Sequence, residues 1–302
     1  MVTERAATTR GFAGPAGARD DRATNGRRRP PVAGREPVEI DTTVAHAARM
    51  YDYLLGGTTN FAVDREAVER ASVAVGGMDN ARADARANRA FLGRVVHYLA
   101  AQTGLRQFLD IGTGIPNGDH VQAIAQQVAP DSRIVYVDND PVVLAHAHSL
   151  LRSTPEGATA YIDGDLRDLE TILRKAAATL DFSQPIAVLL VAVLHLIGDE
   201  HDPYGIVARL VEGLPGGSYV AVSHLTPDIE PDAMAELASR LNQASKETFV
   251  MRDRAQVCRF LHGLEIIEPG VVQVDEWRPE QSQPVLPGAW VRSLYGAVAR
   301  KS

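Results

Sequence analysis

An apolar run, Phe108–Ile111, carries Asp110 within it. It gives way to two glycines one residue apart, Gly112 and Gly114, and then to Pro116. Glycines at this spacing after a strand let the backbone approach a ligand closely, and the usual ligand of such a turn is a dinucleotide. Three features speak against a diphosphate here. Asn117 stands where a third glycine belongs, and Pro116 deletes an N–H donor from the helix start that would bind phosphate. Asp110, Asp163 and Asp165 would also set negative charge beside it. The set suits a ligand with a cationic centre, a ribose and no phosphate.

S-adenosylmethionine has that chemistry. Gly112, Thr113 and Gly114 are expected to meet its methionine part, with Asp110 receiving the ammonium. Asp138, ending the next strand beside Asn139, is placed to take both ribose hydroxyls, and Asp165, followed by Leu166, can accept from the adenine amine. Ala192, after the fourth strand, completes this expected cofactor set, which would hold the product S-adenosylhomocysteine equally. Singly these residues say little: a lone GxG can be a tight turn, and Asp140 before Pro141 reads as a helix cap. The combination carries the inference: acid-x-Gly-x-Gly, an acid ending the second strand, and Gly164-Asp165 ending the third.

The elements that must hold these residues alternate. Strands are expected at 107–111, 133–137, 159–162, 186–192 and 219–224, with helices at 119–128, 141–151, 168–178, 204–212 and 231–244. Such alternation implies βαβ units and a mostly parallel sheet covered on both faces. Ligands then bind beyond the carboxyl ends of the strands, where all the acids named above fall. The late segments LEIIEPGVVQV and WVRSLYGAVA, separated by a Pro-rich loop across 279–287, suggest an antiparallel addition at one edge. Before the first strand, helices are expected from Asp41 (as N-cap) to Gly56-Gly57, at 63–75 and at 80–102. The expected division is a basic, disordered tail over 1–36, a helical cap over 37–104 and the sheet domain over 105–302.

Charge and cysteine content narrow the function classes. The 302 residues carry a formal charge of −7, but residues 1–36 hold eight Arg against four acids, so the rest is strongly acidic. Phosphate binding needs clustered Lys and Arg, which argues against nucleic acid as a partner of the body. The single cysteine, Cys258, excludes an internal disulfide framework and a multi-Cys zinc site; its helical spacing predicts a buried apolar role. The nine histidines show no metal-ligand spacing, so no metal is expected. No run is long and apolar enough for a membrane span and no signal peptide opens the chain, which makes a cytoplasmic protein the simplest reading.

Residues 107–225 resemble a class I, Rossmann-like S-adenosylmethionine-dependent methyltransferase. From about residue 41 the chain is similar to one actinobacterial family of these enzymes, through ARMYDYLLGGTTNFAVDRE, RANRAFLGRVV, QFLDIGTGIP, VYVDNDPVV, DGDLRD, VLHLI, GLEIIEPGVVQVDEWRP and YGAVARK. The resemblance implies a seven-stranded sheet with its last strand antiparallel, and a helical cap over the cofactor. It departs from the family pattern at Asn117-Gly118-Asp119, after IGTGIP. It also inclines Arg49, Tyr51 and Tyr53 toward cofactor or acceptor contact, against helix packing as the plain alternative.

Methyl transfer from a sulfonium is an in-line displacement in which alignment and water exclusion do most of the work. A base helps only where the acceptor has a proton to lose. His195, just past the fourth strand, is the leading candidate, set against a bracing role in the core; Tyr51 and Tyr53 are further catalytic candidates. His224, Arg49 and Phe61 are expected at the acceptor, with His224 otherwise structural, and Asn88 is expected to reach the cofactor carboxylate. The acceptor expected is a small, aromatic, natural-product-like molecule methylated at N, O or C, an indole ring included, as in secondary metabolism. An RNA or protein methyltransferase and a non-catalytic binder of the cofactor are the alternatives.

Overall fold

The computed structural model describes residues 40–116, 120–150, 153–279 and 293–302. The arginine-rich tail, Asn117-Gly118-Asp119 and nearly all of the loop at 279–287, for each of which the sequence raised an expectation, lie outside the described residues.

Five strands run parallel: β1 (Gln107–Ile111), β2 (Arg133–Asp138), β3 (Ala158–Asp163), β4 (Ala187–Val191) and β5 (Tyr219–Leu225). Two short strands, β6 (Glu265–Ile266) and β7 (Val272–Gln273), both pair antiparallel with β8 (Leu294–Arg300), which itself lies antiparallel to β5. The order is β3-β2-β1-β4-β5-β8-β6, with β7 also on β8. The order in which successive strands are laid down therefore reverses between β1 and β4, which stay parallel, and this is the switch point at which open α/β sheets bind ligands.

Side chains alternate across each strand, and here both faces are apolar. Leu109, Val135, Val188 and Leu190 enter one core, closed by Ile172 of α6 (Leu169–Ala176), Leu210 of α7 (Pro203–Glu212) and Val257 of α9 (Arg254–Arg259). Phe108, Ile134, Ala187 and Leu189 enter the other, with Phe91, Val95 and Leu99 of α3 (Met78–Gln102) and Ala125 of α4 (Val121–Val128). Burying each of the larger side chains stabilises the fold by ~1.5–3 kcal/mol. Cys258 is half-buried at the edge of the first core, where the sequence had suggested full burial.

The first helices differ at their starts from the sequence expectation. α1 spans Ala47–Leu54 with His46, not Asp41, as its N-cap residue; Asp41 instead accepts from the Thr43 N–H at 2.8 Å. The intervening residues are held outside the helix, because Ala45 bridges to Ser245 and Arg49 donates to the carbonyls of Asp41 and Val44 at 2.9 and 2.7 Å. α2 runs Ala62–Ser72 and passes into a 3₁₀ turn at Val73–Val75. A third core joins Met50 of α1 and Val68 and Ala71 of α2 to Phe249 and to Leu241 of α8 (Pro231–Ala244), so the roof over the sheet is completed by a helix from late in the chain. No helix among the described residues is long and apolar enough to cross a membrane.

Candidate functional site

A cavity of about 260 Å³ opens above the carboxyl ends of β1, β2 and β4, roofed by α1, α2, α3 and α8. At its floor β1 delivers Asp110, buried, with Oδ2 accepting from the Thr113 hydroxyl at 2.7 Å. Burial pushes the Asp110 carboxyl up to about 6, opposed by the Thr113 hydrogen bond and the nearby Arg89 of α3. A buried acid so placed gains most from a cationic partner. The chain then turns through Gly112 (φ +75°) and Gly114 (φ +67°). A Cβ on Gly112 would stand 2.5 Å from the Val193 side chain, whereas Gly114 faces open space. Packing thus demands the first glycine and backbone conformation both.

The second strand ends in Asp138, whose Oδ2 accepts from the Gly114 N–H at 2.8 Å and Oδ1 from the Asp140 N–H at 2.9 Å. The aspartate therefore shapes the glycine turn as well as facing the cavity. Asp165 is gripped by Arg167 through Nε (2.8 Å) and Nη2 (2.5 Å) and by the Asn139 amide at 3.1 Å. These contacts, the Arg167 hydrogen bonds foremost, hold its carboxyl at about 2. A ligand amine at Asp165 would share oxygens that already have partners.

On the roof side a hydrogen-bond chain crosses four elements. The Ala192 N–H donates to Ser223 Oγ at 2.9 Å, and Ser223 donates to Asn88 Oδ1 at 2.6 Å. Asn88 Nδ2 donates to the Tyr51 hydroxyl at 2.9 Å, which donates to the Ala85 carbonyl at 3.0 Å. Ala192 sits at φ +57°, a left-handed conformation that costs a non-glycine residue of order 1 kcal/mol or more. Ser223 holds it there, at the cavity wall.

Beyond Ala192 a short 3₁₀ turn, Leu194–Leu196, carries His195. Arg252, itself buried, donates to the carbonyls of Leu194 and Ile197, each at 3.0 Å, and to His224 Nε2 at 2.9 Å. The His195 ring stacks on Phe249 with centroids 5.9 Å apart and meets His224 edge-on at 5.6 Å. Burial above all, with His224 and Arg252 nearby, keeps His195 neutral, and its Nδ1 has no hydrogen-bond partner.

The cavity brings together Asp110, Gly112, Thr113, Gly114, Asp138, Asn139, Asp165, Leu166, Ala192, Asn88, Tyr51 and His195. Arg49, Tyr53, Phe61 and His224, assigned to the site from sequence, do not line it. Arg49 pairs with buried Asp64 at 3.2 Å and lies over the Phe61 ring, 5.2 Å from its centroid. The Tyr53 hydroxyl donates to Glu69 at 2.7 Å. His224 lies behind His195, its Nδ1–H on the Leu225 carbonyl at 2.7 Å, and burial lowers its imidazole to about 3.

Residues the sequence reading passed over also line the cavity: His46, Glu247 and Phe249, with Arg89 beside Asp110. His46 holds Asp140 at 2.9 Å through Nδ1 and Glu247 at 2.8 Å through Nε2. Burial opposes its charge, yet the hydrogen bonds to the two carboxylates win and raise it to about 9. A histidine one residue before a helix has no sequence signal for such a role; its partners lie 94 and 201 positions away.

This donor set fits S-adenosylmethionine: a buried acid for an ammonium, a glycine turn open to the cavity, and an acid closing the neighbouring strand. The comparisons agree. Residues 33–302 match the model of the S-adenosyl methyltransferase family. The chain is 43% identical to a DUF574 family protein of known structure from Streptomyces avermitilis, over 87% of this chain and 100% of that one, with a TM-score of 0.83. It is 34% identical to a Thermobifida fusca protein provisionally described as a methyltransferase, over 87% of this chain and 97% of that one, with a TM-score of 0.78. None of the curated proteins matches it. The chain belongs to the S-adenosyl methyltransferase family, as an enzyme that uses S-adenosylmethionine.

Proposed function

We propose that this methyltransferase acts on a small, uncharged, largely apolar acceptor, aromatic in kind, with N, O or C as the methylated atom and an indole ring among those that fit. The observation that carries this reading is the distribution of charge around the cavity. Away from the cofactor residues its walls are largely apolar, with Met50, Leu54, Val68, Leu237, Leu241 and Phe249 prominent beside the His46–Glu247 pair and Asp84. Both arginines on the lining, Arg89 and Arg167, belong with the acids Asp110 and Asp165 on the cofactor side. The further cation on the lining, His46, is already paired with Asp140 and Glu247, so an anionic acceptor would lose its hydration among apolar groups with no uncompensated basic side chain among the described lining residues to replace it.

S-adenosylmethionine, when bound, supplies an electrophilic methyl on a sulfonium. For this chain's residues we assign Asp110 to the ammonium, Arg89 to the methionine carboxylate and Asp138 to the ribose. His195 is assigned to the acceptor's proton. A neutral buried imidazole is a weak base, but the proton on a heteroaromatic or hydroxyl acceptor becomes more acidic as the new bond builds positive charge, so a weak base can take it in the transition state. Phe249, stacked on that ring, offers the apolar face against which an aromatic acceptor can lie.

A panel of neutral heteroaromatics, amines and matching carboxylates, incubated with S-adenosylmethionine and read by mass, tests this. Methyl gain is expected among neutral heteroaromatics. A preference for the carboxylates would overturn the charge argument.

A further inference from the structure

His46 has no part in the assignments above, yet it is the cation between two halves of the site. We propose that His46 is a positioning residue: its imidazolium ties the start of α1 to Asp140, beside the ribose carboxylate Asp138, and to Glu247, on the wall of the acceptor chamber, so that holding the nucleoside and closing the chamber become one event. The inference rests on the assignment of Asp138 to the ribose.

The connections run both ways from the imidazole. Toward the cofactor, the N–H of Asp140 donates to Asp138 Oδ1 at 2.9 Å, and Asp140 Oδ1 accepts from the Val142 N–H at 2.8 Å. A shift of Asp140 therefore moves Asp138. Toward the acceptor, Glu247 Oε2 accepts from the Ala47 N–H at 3.2 Å and the Ser245 hydroxyl at 2.8 Å, while the Lys246 N–H donates to the Ala45 carbonyl at 3.2 Å. One side chain thus fixes the entry to α1, the loop after α8 and the start of α5 (Pro141–Leu150). The Ala48 N–H lies 3.4 Å from Nδ1, farther than the carboxylates at 2.9 and 2.8 Å, and only the doubly protonated ring donates to both of these. Loss of the charge would leave Asp138, Asp140 and Glu247 to repel one another in a poorly solvated place. Other charged groups nearby are Asp64, which accepts from the His46 backbone N–H at 3.0 Å, its partner Arg49, and Asp41, which feels both Arg49 and Lys246.

The test uses 5′-methylthioadenosine, a nucleoside without an amino acid group to titrate, bound by calorimetry between pH 7 and 10. The phenols of Tyr51, Tyr136 and Tyr161 are all pushed up by burial, which takes them out of that range. Wild-type affinity is expected to fall roughly fivefold or more as His46 deprotonates near pH 9. His46→Gln should bind about that much more weakly at pH 7 and show no further loss on the alkaline side. Glu247→Gln, which keeps a hydrogen bond to the ring, should fall between the two. A flat wild-type profile, or variants of reduced melting temperature that bind the nucleoside as wild type does, would overturn the proposal. Asp138→Ala separates the two readings: full affinity there overturns both, whereas loss there with full affinity in His46→Gln and Glu247→Gln overturns the coupling alone.

Discussion

Asn88, buried in α3, donates its side-chain amide to the Tyr51 hydroxyl of α1 at 2.9 Å, and its carbonyl oxygen takes the Ser223 hydroxyl of β5 at 2.6 Å. The amide that the sequence assigned to the cofactor thus binds roof to sheet. Tyr51 is caught in the same chain, and burial raises its phenol further from the range of a working base.

Tyr51→Phe should therefore cost about 1–2 kcal/mol of stability, since it removes the hydroxyl's hydrogen bond to the Ala85 carbonyl and leaves the buried Asn88 amide without that partner. In a protein of this size that is a melting-temperature drop of roughly 2–8 °C. Thermal melts check it. Turnover near wild type in the folded variant would place Tyr51 among structural residues, and a turnover loss beyond tenfold would restore it to the chemistry.

Asp138→Ala should weaken S-adenosylhomocysteine by roughly 2–4 kcal/mol, through lost charge-assisted hydrogen bonds to the ribose. Asp138 also anchors the Gly114 and Asp140 N–H groups, so part of the loss comes from a loosened turn. Asp138→Asn retains hydrogen bonding and should lose less. Calorimetry of both variants decides, and equal affinities for Asp138→Ala and wild type would exclude the ribose assignment.

The Asp110 carboxyl, raised by burial to about 6 against an ordinary value near 4, makes cofactor binding depend on acid. The sign follows from linkage. In the unliganded protein the raised acid favours folding below pH ~4, and that contribution is lost as pH rises through 6. A bound ammonium reverses the preference by favouring the carboxylate. S-adenosylhomocysteine should thus bind more tightly at pH 8 than at pH 5, with the change centred near 6 and flattened in Asp110→Asn. Titrations at four pH values would show it.

His195→Ala should reduce turnover by ~10²–10⁴, the span usual for a general base, with cofactor affinity near wild type. Because burial holds the imidazole below its ordinary range, no acid limb from His195 is expected between pH 6 and 8. Unchanged turnover would mean that alignment alone suffices, and collapse of cofactor binding would show that the ring braces the pocket.

Local pattern was enough to read the alternating strands and helices, the antiparallel late segments, the glycine turn after Asp110 and the acid at Asp138. Each depends on neighbours in the chain: a two-residue period with both faces apolar, a backbone turn that needs glycine, an acid at a strand end. The same holds for the cofactor, because the residues assigned to it cluster at strand ends that the period locates. What tertiary structure alone decided concerns partners far apart in sequence. Tyr53 and Tyr51 share a short helix, yet one reaches Glu69 and the other the cavity, a difference set by helix rotation against α2 and α3. His224 sits one residue before the end of its strand, which runs a residue further than the sequence suggested, and Arg252, 28 residues on, captures its ring. His46 carries a charge because Asp140 and Glu247 converge on it, and Phe249 joins the wall because α8 folds over α2. No local pattern encodes such encounters, since they arise from the energy of packing whole elements together.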